Sequence, residues 1–177
     1  MKTITTDLYS FTELTPEAKH VAIQNFLAGD RDYLWDDEWL DSLKALAEYW
    51  GAELLDWNIS AYGFSYAKLG DLGNASIHSL SGVRAWTWIL NNTGLVTEDS
   101  MPTGYCGDCD AFAPLVAFCT LPADSSLTIQ GLMEQCCASL VSAWQADMQH
   151  QDSEEFAEDE LLGRSDEELF TLDGNAF

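Results

Sequence analysis

Residues 46–69 read LAEYWGAELLDWNISAYGFSYAKL, and the fold class turns on what happens at Gly51. Before it, Trp35, Trp39, Leu43, Leu46 and Trp50 recur every three or four residues. Asp36, Asp37, Asp41, Lys44 and Glu48 fill the gaps, as on a helix over 34–50 with one apolar stripe. After Gly51 the period falls to two. Leu55, Trp57 and Ile59 alternate with Asp56, Asn58 and Ser60. Tyr62, Phe64 and Tyr66 then alternate with Gly63, Ser65 and Ala67, which predicts two strands, each with one buried face. The Gly, Asp and Asn of KLGDLGNAS, residues 68–76, supply a turn. A third short strand through Ile77 completes a meander, and strands adjacent in sequence usually pair, so the sheet is antiparallel.

Outward from this centre the pattern is mostly helical. Thr15-Pro16-Glu17 is a helix entrance: a capping hydroxyl, a proline suited to the first position, and a carboxylate at the positive end of the dipole. Ala18, Val21, Ala22 and Phe26 follow at helical spacing, and Gly29 stops the run. A short helix is predicted over 83–92. Between 95 and 128 the sequence is least legible, with a turn read at Tyr105–Asp110 and a strand at Leu115–Leu121. From Ile129 to Met148, apolar residues at three- and four-residue steps make the clearest amphipathic helix. In QDSEEFAEDELLGRSDEELF, residues 151–170, Asp152 with Glu155 and Ser165 with Glu168 have capping-box spacing, and Gly163 reads as a helix stop. Five large apolar residues give these pieces something to bury, so this acidic stretch is expected to fold. The expected architecture is a single α+β domain over 1–177, an antiparallel sheet of three to five strands with helices packed on one face.

The net charge is −23, from 30 acidic and 7 basic side chains. That excludes ordinary nucleic-acid binding, which needs a basic footprint, and opposes docking on an anionic membrane. It suits solubility or attraction to a basic surface. Spread evenly over roughly 8,600 Å², the net charges would lie about 19 Å apart, beyond the ~8 Å screening length. Clustering is therefore what counts. Residues 147–173 hold 11 acidic side chains against one base, Arg164. Helical carboxylates three or four residues apart sit ~5–6 Å from each other between Cβ atoms and act jointly. The expected partner-binding residues are Asp36, Asp37, Asp41 and Glu48 on one helix. Glu154, Glu155, Glu158, Asp159, Glu160, Glu167 and Glu168 form the other group.

Nothing in the sequence marks a catalytic centre. Ser65 lacks the glycine frame of a hydrolase elbow, and Gly70 and Gly73 form no phosphate-cradling motif before a helix. The three histidines pair with no nucleophile, so a non-enzymatic role is expected. The start of the chain, MKTITTDLYS, has no apolar signal core, and no run is long enough for a bilayer span, which predicts a cytoplasmic protein. The five cysteines then read as reduced thiols. Cys106 and Cys109, in CGDC, have the spacing of half a zinc knuckle or of a redox pair. The second knuckle is missing, so no cofactor is expected; structural zinc would need ligands from Cys119, Cys136, Cys137, His78 or His150. A thioredoxin-like pair should open a helix after a strand, and the sequence gives no sign that CGDC does. The tryptophan stripe Trp35, Trp39, Trp50 and Trp57 reads as core rather than as a binding platform. The long helix is the surface through which a homodimer would form, though nothing demands one.

The opening YSFTELTPEAKHVAIQNF, the Trp- and Asp-rich second helix and YGFSYAKLGDLGNASI resemble a widespread family of small acidic phage and prophage proteins, whose members often carry the label antitoxin of a toxin–antitoxin stability system. GRSDEELFTLDGNAF is similar to the family's ending, an acidic helix start and a Phe-containing tail with a late Gly. The resemblance spans chiefly residues 8–80 and 129–177. Two features depart from it: a longer turn at Gly70–Ala75, and the central GYCGDCDAF. It carries over no catalytic residues. It implies a viral accessory protein, and in that setting small acidic proteins inhibit host defence, some by imitating DNA. The function expected on that footing is a phage-encoded, anti-CRISPR or anti-restriction type inhibitor whose acidic surface binds a basic, nucleic-acid-handling host protein. The alternative is an antitoxin-like or host-takeover adaptor that binds one protein partner through an apolar groove.

Overall fold

A computed structural model describes residues 7–29, 32–72, 75–93, 102–120 and 126–177. The elements are α1 (Pro16–Ala28), α2 (Asp36–Trp50), β1 (Leu54–Asn58), β2 (Tyr66–Leu69), α3 (Ala75–His78), α4 (Gly82–Asn92), α5 (Asp108–Thr120), α6 (Ile129–Gln151) and α7 (Glu154–Gly163). They fall into two compact units. One holds the described residues up to Leu34 and from Met148 onward; the other is Trp35–Asp147. No helix among the described residues is long and apolar enough to cross a membrane.

The first unit packs α1 against α7. Thr15 caps α1 as its spacing predicts, its Oγ1 accepting from the Ala18 N–H at 3.3 Å. Phe11, Leu14, Ala18, Ile23, Leu161 and Phe170 are buried together, and the Phe11 and Phe170 rings meet edge to face at 6.1 Å. The segment after α7 folds back onto this core. Tyr9 and Phe170 exchange backbone hydrogen bonds of 2.9 and 2.8 Å. Gly174 then turns with φ 86°, and a Cβ there would lie 2.1 Å from the Ala18 carbonyl oxygen, so only glycine fits. The acidic stretch is folded, but its caps differ from the predicted ones. Ser153, not Asp152, caps α7, its Oγ accepting from the Phe156 N–H at 3.1 Å. Asp152 instead accepts from the Tyr33 hydroxyl at 2.8 Å. Ser165 and Glu168 start no helix. The chain makes a single turn there, with the Glu167 and Glu168 N–H groups donating to the Arg164 carbonyl.

In the second unit α6 is the central element, and Leu132, Met133, Cys136, Leu140 and Trp144 are buried along it. α2 ends as expected at Gly51, in the left-handed region at φ 68°. The period-two stretch forms one antiparallel hairpin, with Trp57 opposite Ala67 and Asp56 opposite Lys68. Class α+β holds; the larger sheet is corrected. Among the described residues the sheet has two strands. Ile77, expected in a third, lies in the one-turn α3. Leu115–Leu121 was expected as another strand, but through Thr120 it belongs to α5. Extended back to Asp108, the buried residues Ala111, Phe112, Leu115 and Phe118 follow helical spacing, which the β-favouring run LVAFCT conceals. Gly73 and Asn74 of the turn after β2, and Leu121 itself, lie outside the described residues.

Candidate protein-binding surfaces

On α7, helix geometry sorts the carboxylates. Ala157 and Leu161 face the core, and Glu155, Glu158 and Asp159 point the opposite way, all exposed. Glu155 lies one turn from both Glu158 and Asp159, so the three share a face within one screening length. None of the three has a hydrogen-bond or ion-pair partner among the described residues. Leu162, four residues beyond Glu158, is 40% exposed in the middle of the same face. Their neighbours are already engaged. Glu154 accepts from the Gln24 side chain at 2.8 Å, and Glu160 is paired with Arg164 at 2.6 Å. Glu167 is exposed and Glu168 half-buried, both in the turn after α7.

α2 uses its acids differently. Asp36, half-buried, accepts from the Trp144 indole N–H at 2.8 Å. In return the Trp39 indole N–H donates to Asp147 at 3.0 Å. An Asp-x-x-Trp on α2 thus meets a Trp-x-x-Asp on α6, and each buried indole finds a carboxylate. Asp37, Asp41 and Glu48 lie on the wet side of α2, but Lys44 lies there too and pairs with Asp41 at 2.8 Å. Of the expected α2 patch, Asp37 and Glu48 remain exposed without a partner among the described residues.

The structure also brings forward residues assigned above to strands or core. β1 and β2 are joined by a braced loop. Ser65 Oγ accepts from the Ser60 N–H and donates to its carbonyl. Asn58 donates to the Phe64 carbonyl at 2.7 Å, and Gln145 of α6 donates to the carbonyls of Ala61 and Gly63. Tyr62 and Phe64, read as inward strand residues, project from this loop at 75% and 80% exposure. Between β2 and α6 lies a groove of about 520 Å³ lined by Tyr66, Lys68, Met133, Cys137, Val141 and Gln145. The tryptophan stripe divides. Trp39 and Trp50 are core, Trp57 stacks on Trp144 at 5.7 Å while 41% exposed, and Trp35 stands 61% exposed at the start of α2. A loop that extrudes aromatics looks the same in sequence as a strand that buries alternate ones. Only the Gly63 and Ser65 positions hinted at the loop.

Cys106 and Cys109 are exposed, and Cys136 and Cys137 are buried. Burial pushes the Cys136 thiol up to about 12 and the Cys137 thiol up to about 11, so neither ionises readily to bind zinc. Among the described residues no three histidines, cysteines or acids come together as a metal site. CGDC runs from a turn into a helix, with Cys109 in the first turn of α5 and Cys106 in the turn before it, but among the described residues no strand leads into it as in a thioredoxin-like site.

No family model, no curated protein and no solved structure matches this chain. What the surfaces can do therefore rests on their own chemistry. The α7 face offers fixed negative charge around an apolar point, suited to basic protein surface. The hairpin loop and groove offer rigid aromatic contact.

Proposed function

We propose that the protein is a non-enzymatic, phage-encoded inhibitor that binds a basic, nucleic-acid-handling surface of a host defence complex of the CRISPR or restriction type. The binding face is α7, where Glu155, Glu158 and Asp159 stand exposed with no partner among the described residues. That observation carries the reading. Carboxylates already satisfied within the fold add little to a partner's affinity, whereas unpaired ones on one face present a joint field to lysine and arginine side chains. Leu162 adds apolar contact area in the middle of this face. The resemblance to small acidic phage proteins supplies the viral setting.

The test is capture from nuclease-treated host lysate across a salt series. Retention of a nucleic-acid-handling complex, weakened by salt and displaced by added duplex DNA, is expected. Replacing Glu155, Glu158 and Asp159 together with Lys should abolish it. Undiminished capture and inhibition by that variant would remove the α7 reading.

The groove between β2 and α6, with Tyr62 and Phe64 on the loop beside it, favours a second reading: an adaptor or antitoxin-like protein that binds one partner by apolar contact. It predicts capture that tolerates salt and fails on Phe64→Ser.

A further inference from the structure

The CGDC segment has a plan that the acidic surface does not explain. Its two inner residues are buried and its two cysteines are exposed, the Cys106 sulfur lying 3.9 Å from Ser42 Oγ. Gly107 is pressed between helices: a Cβ there would lie 2.5 Å from Leu140 Cδ1 and 3.1 Å from Ser42 Cβ. Its N–H donates to Ser42 Oγ at 3.4 Å. Asp108 is 2% exposed. Its carboxylate accepts from the Thr103 and Gly104 N–H groups at 3.0 and 2.9 Å, and also from the Thr103 hydroxyl. The backbone is held as a turn by the Asp108 N–H donating to the Tyr105 carbonyl at 3.2 Å, and continues into α5. The anchoring leaves Cys106 and Cys109 exposed three residues apart, Cys106 in the turn that leads into α5 and Cys109 in its first turn.

We infer that Cys106 and Cys109 are a vicinal dithiol, a site of reversible oxidation that closes to an intramolecular disulfide when the chain meets a small disulfide such as oxidised glutathione. Residues one helical turn apart place their Cβ atoms ~5–6 Å from each other, against the ~3.5–4.5 Å of a disulfide. Closure therefore asks for a shift of about 1–2 Å, which falls at the first turn of α5 where the helix bonds are fewest. The reaction proceeds in two exchanges. A thiolate of the pair attacks a sulfur of oxidised glutathione, forming a mixed disulfide and expelling one glutathione thiolate, which takes up the proton. The second cysteine, deprotonated in turn, attacks the protein-side sulfur of that mixed disulfide. The Cys106–Cys109 bond forms and the second glutathione leaves. Two protein thiols are oxidised and one glutathione disulfide is reduced to two thiols. The remaining cysteines do not compete: Cys136 and Cys137 are buried, and Cys119 is half-buried with its thiol pushed up by desolvation. A bridge between two exposed cysteines is open to attack by thiols, which makes it labile to reduction.

The test uses the full chain, incubated in glutathione redox buffers and separately with diamide, quenched with acid, unfolded and alkylated, then weighed and peptide-mapped. The expected product has lost two hydrogens, carries alkyl groups on three cysteines, and maps its bridge to Cys106–Cys109; dithiothreitol restores all five alkylation sites. Cys106→Ser and Cys109→Ser should each take up one glutathione on the remaining partner and form no bridge. Both positions are exposed, and circular dichroism checks that the variants keep the fold. A native chain that acquires two separate glutathione adducts overturns the inference. So does one that bridges through Cys119, Cys136 or Cys137, or one that stays fully reduced under both oxidants.

Discussion

α2 and α7 are both dense in aspartate and glutamate, yet α2 commits part of its acidic side to partners within the fold, while α7 groups three open carboxylates on one face. On α2, Asp36 is committed to the Trp144 indole and Asp41 to Lys44. On α7, Glu155, Glu158 and Asp159 have no partner among the described residues. Acid count along a helix therefore does not locate a binding surface. What locates it is whether an indole, an amide or a lysine lies within reach of each carboxylate. The distinction also separates two energetic roles. An acid that satisfies a buried donor stabilises the fold, and one left in water mainly sets long-range attraction, fading with salt.

The largest effect that would break this comparison is expected at the α2–α6 contact. Trp144→Ala should destabilise by ~3–5 kcal/mol, because it empties a site 2% exposed, removes the stack on Trp57 and leaves Asp36 without its donor. Urea unfolding followed by far-ultraviolet circular dichroism measures it. Asp36→Ala should cost about 1–3 kcal/mol, the penalty of an orphaned indole N–H in a part-buried setting. If Asp36→Ala unfolds at the wild-type urea concentration, Asp36 is no more structural than Glu155. The comparison then collapses.

These two residues show how far the sequence alone reaches. Helical spacing placed Trp39 and Leu43 in the core and Asp36 on the wet side, and the ends of α1 and α2 were legible from Pro16, Gly29 and Gly51. The exchange of indoles and carboxylates between α2 and α6 was not, because it joins residues 108 positions apart. Spacing within one helix carries no trace of it. For the same reason Asp36, Asp37, Asp41 and Glu48 were all taken as surface. α5 was hidden differently. Its run of β-favouring residues outweighed a helical spacing that shows only when Ala111 and Phe112 are counted with Leu115 and Phe118. In the hairpin the period of two marked β1 and β2 as strands. The buried face expected on β1 is absent, Leu55 and Trp57 both being exposed, and the alternation does not say where a strand becomes a loop. Tyr62 and Phe64 were therefore placed inside. On α7 the sequence placed Glu155, Glu158 and Asp159 among seven acids without setting them apart. The engaged state of Glu154 and Glu160, the place of Glu167 and Glu168 beyond the helix, and the exposure of Leu162, which was expected to be buried, needed a structure.

Smaller effects sharpen the contrast. Glu155, Glu158 and Asp159 changed together to Gln should alter unfolding free energy by no more than about 0.5 kcal/mol, since each is exposed and unpaired. The same variant should lose salt-dependent capture of the partner. A stability loss like that of Asp36→Ala would mean that α7 acids, too, hold the fold together. Lys44→Ala approaches the question from the other side. It removes an exposed ion pair worth under ~1 kcal/mol, and leaves Asp37, Asp41 and Glu48 as an uninterrupted acidic ridge. Salt-dependent capture that strengthens on this change would show that α2 becomes a second binding face once its lysine is gone.

The smallest effect concerns a carboxylate that is held and yet fully in water. Glu13 accepts from the Ser10 backbone N–H and hydroxyl, both at 2.9 Å, and these bonds lower its pKa below the ordinary 4.5, the backbone bond contributing most. A carboxyl whose folded-state pKa is lowered stabilises the fold above its unfolded value and loses that contribution as pH falls through the lowered one. Ser10→Ala removes the hydroxyl bond and keeps the backbone one. The Glu13 carboxyl resonance, followed by NMR from pH ~6 down through the unperturbed carboxylate range, should therefore titrate at a higher pH than in the native chain while staying below its ordinary value. An unchanged titration would assign the whole effect to the backbone N–H. In that case a carboxylate in water is held by the chain's own turn and not by a neighbouring side chain, which would also recast how the engaged acids of α7, Glu154 and Glu160, are set apart from the open ones between them.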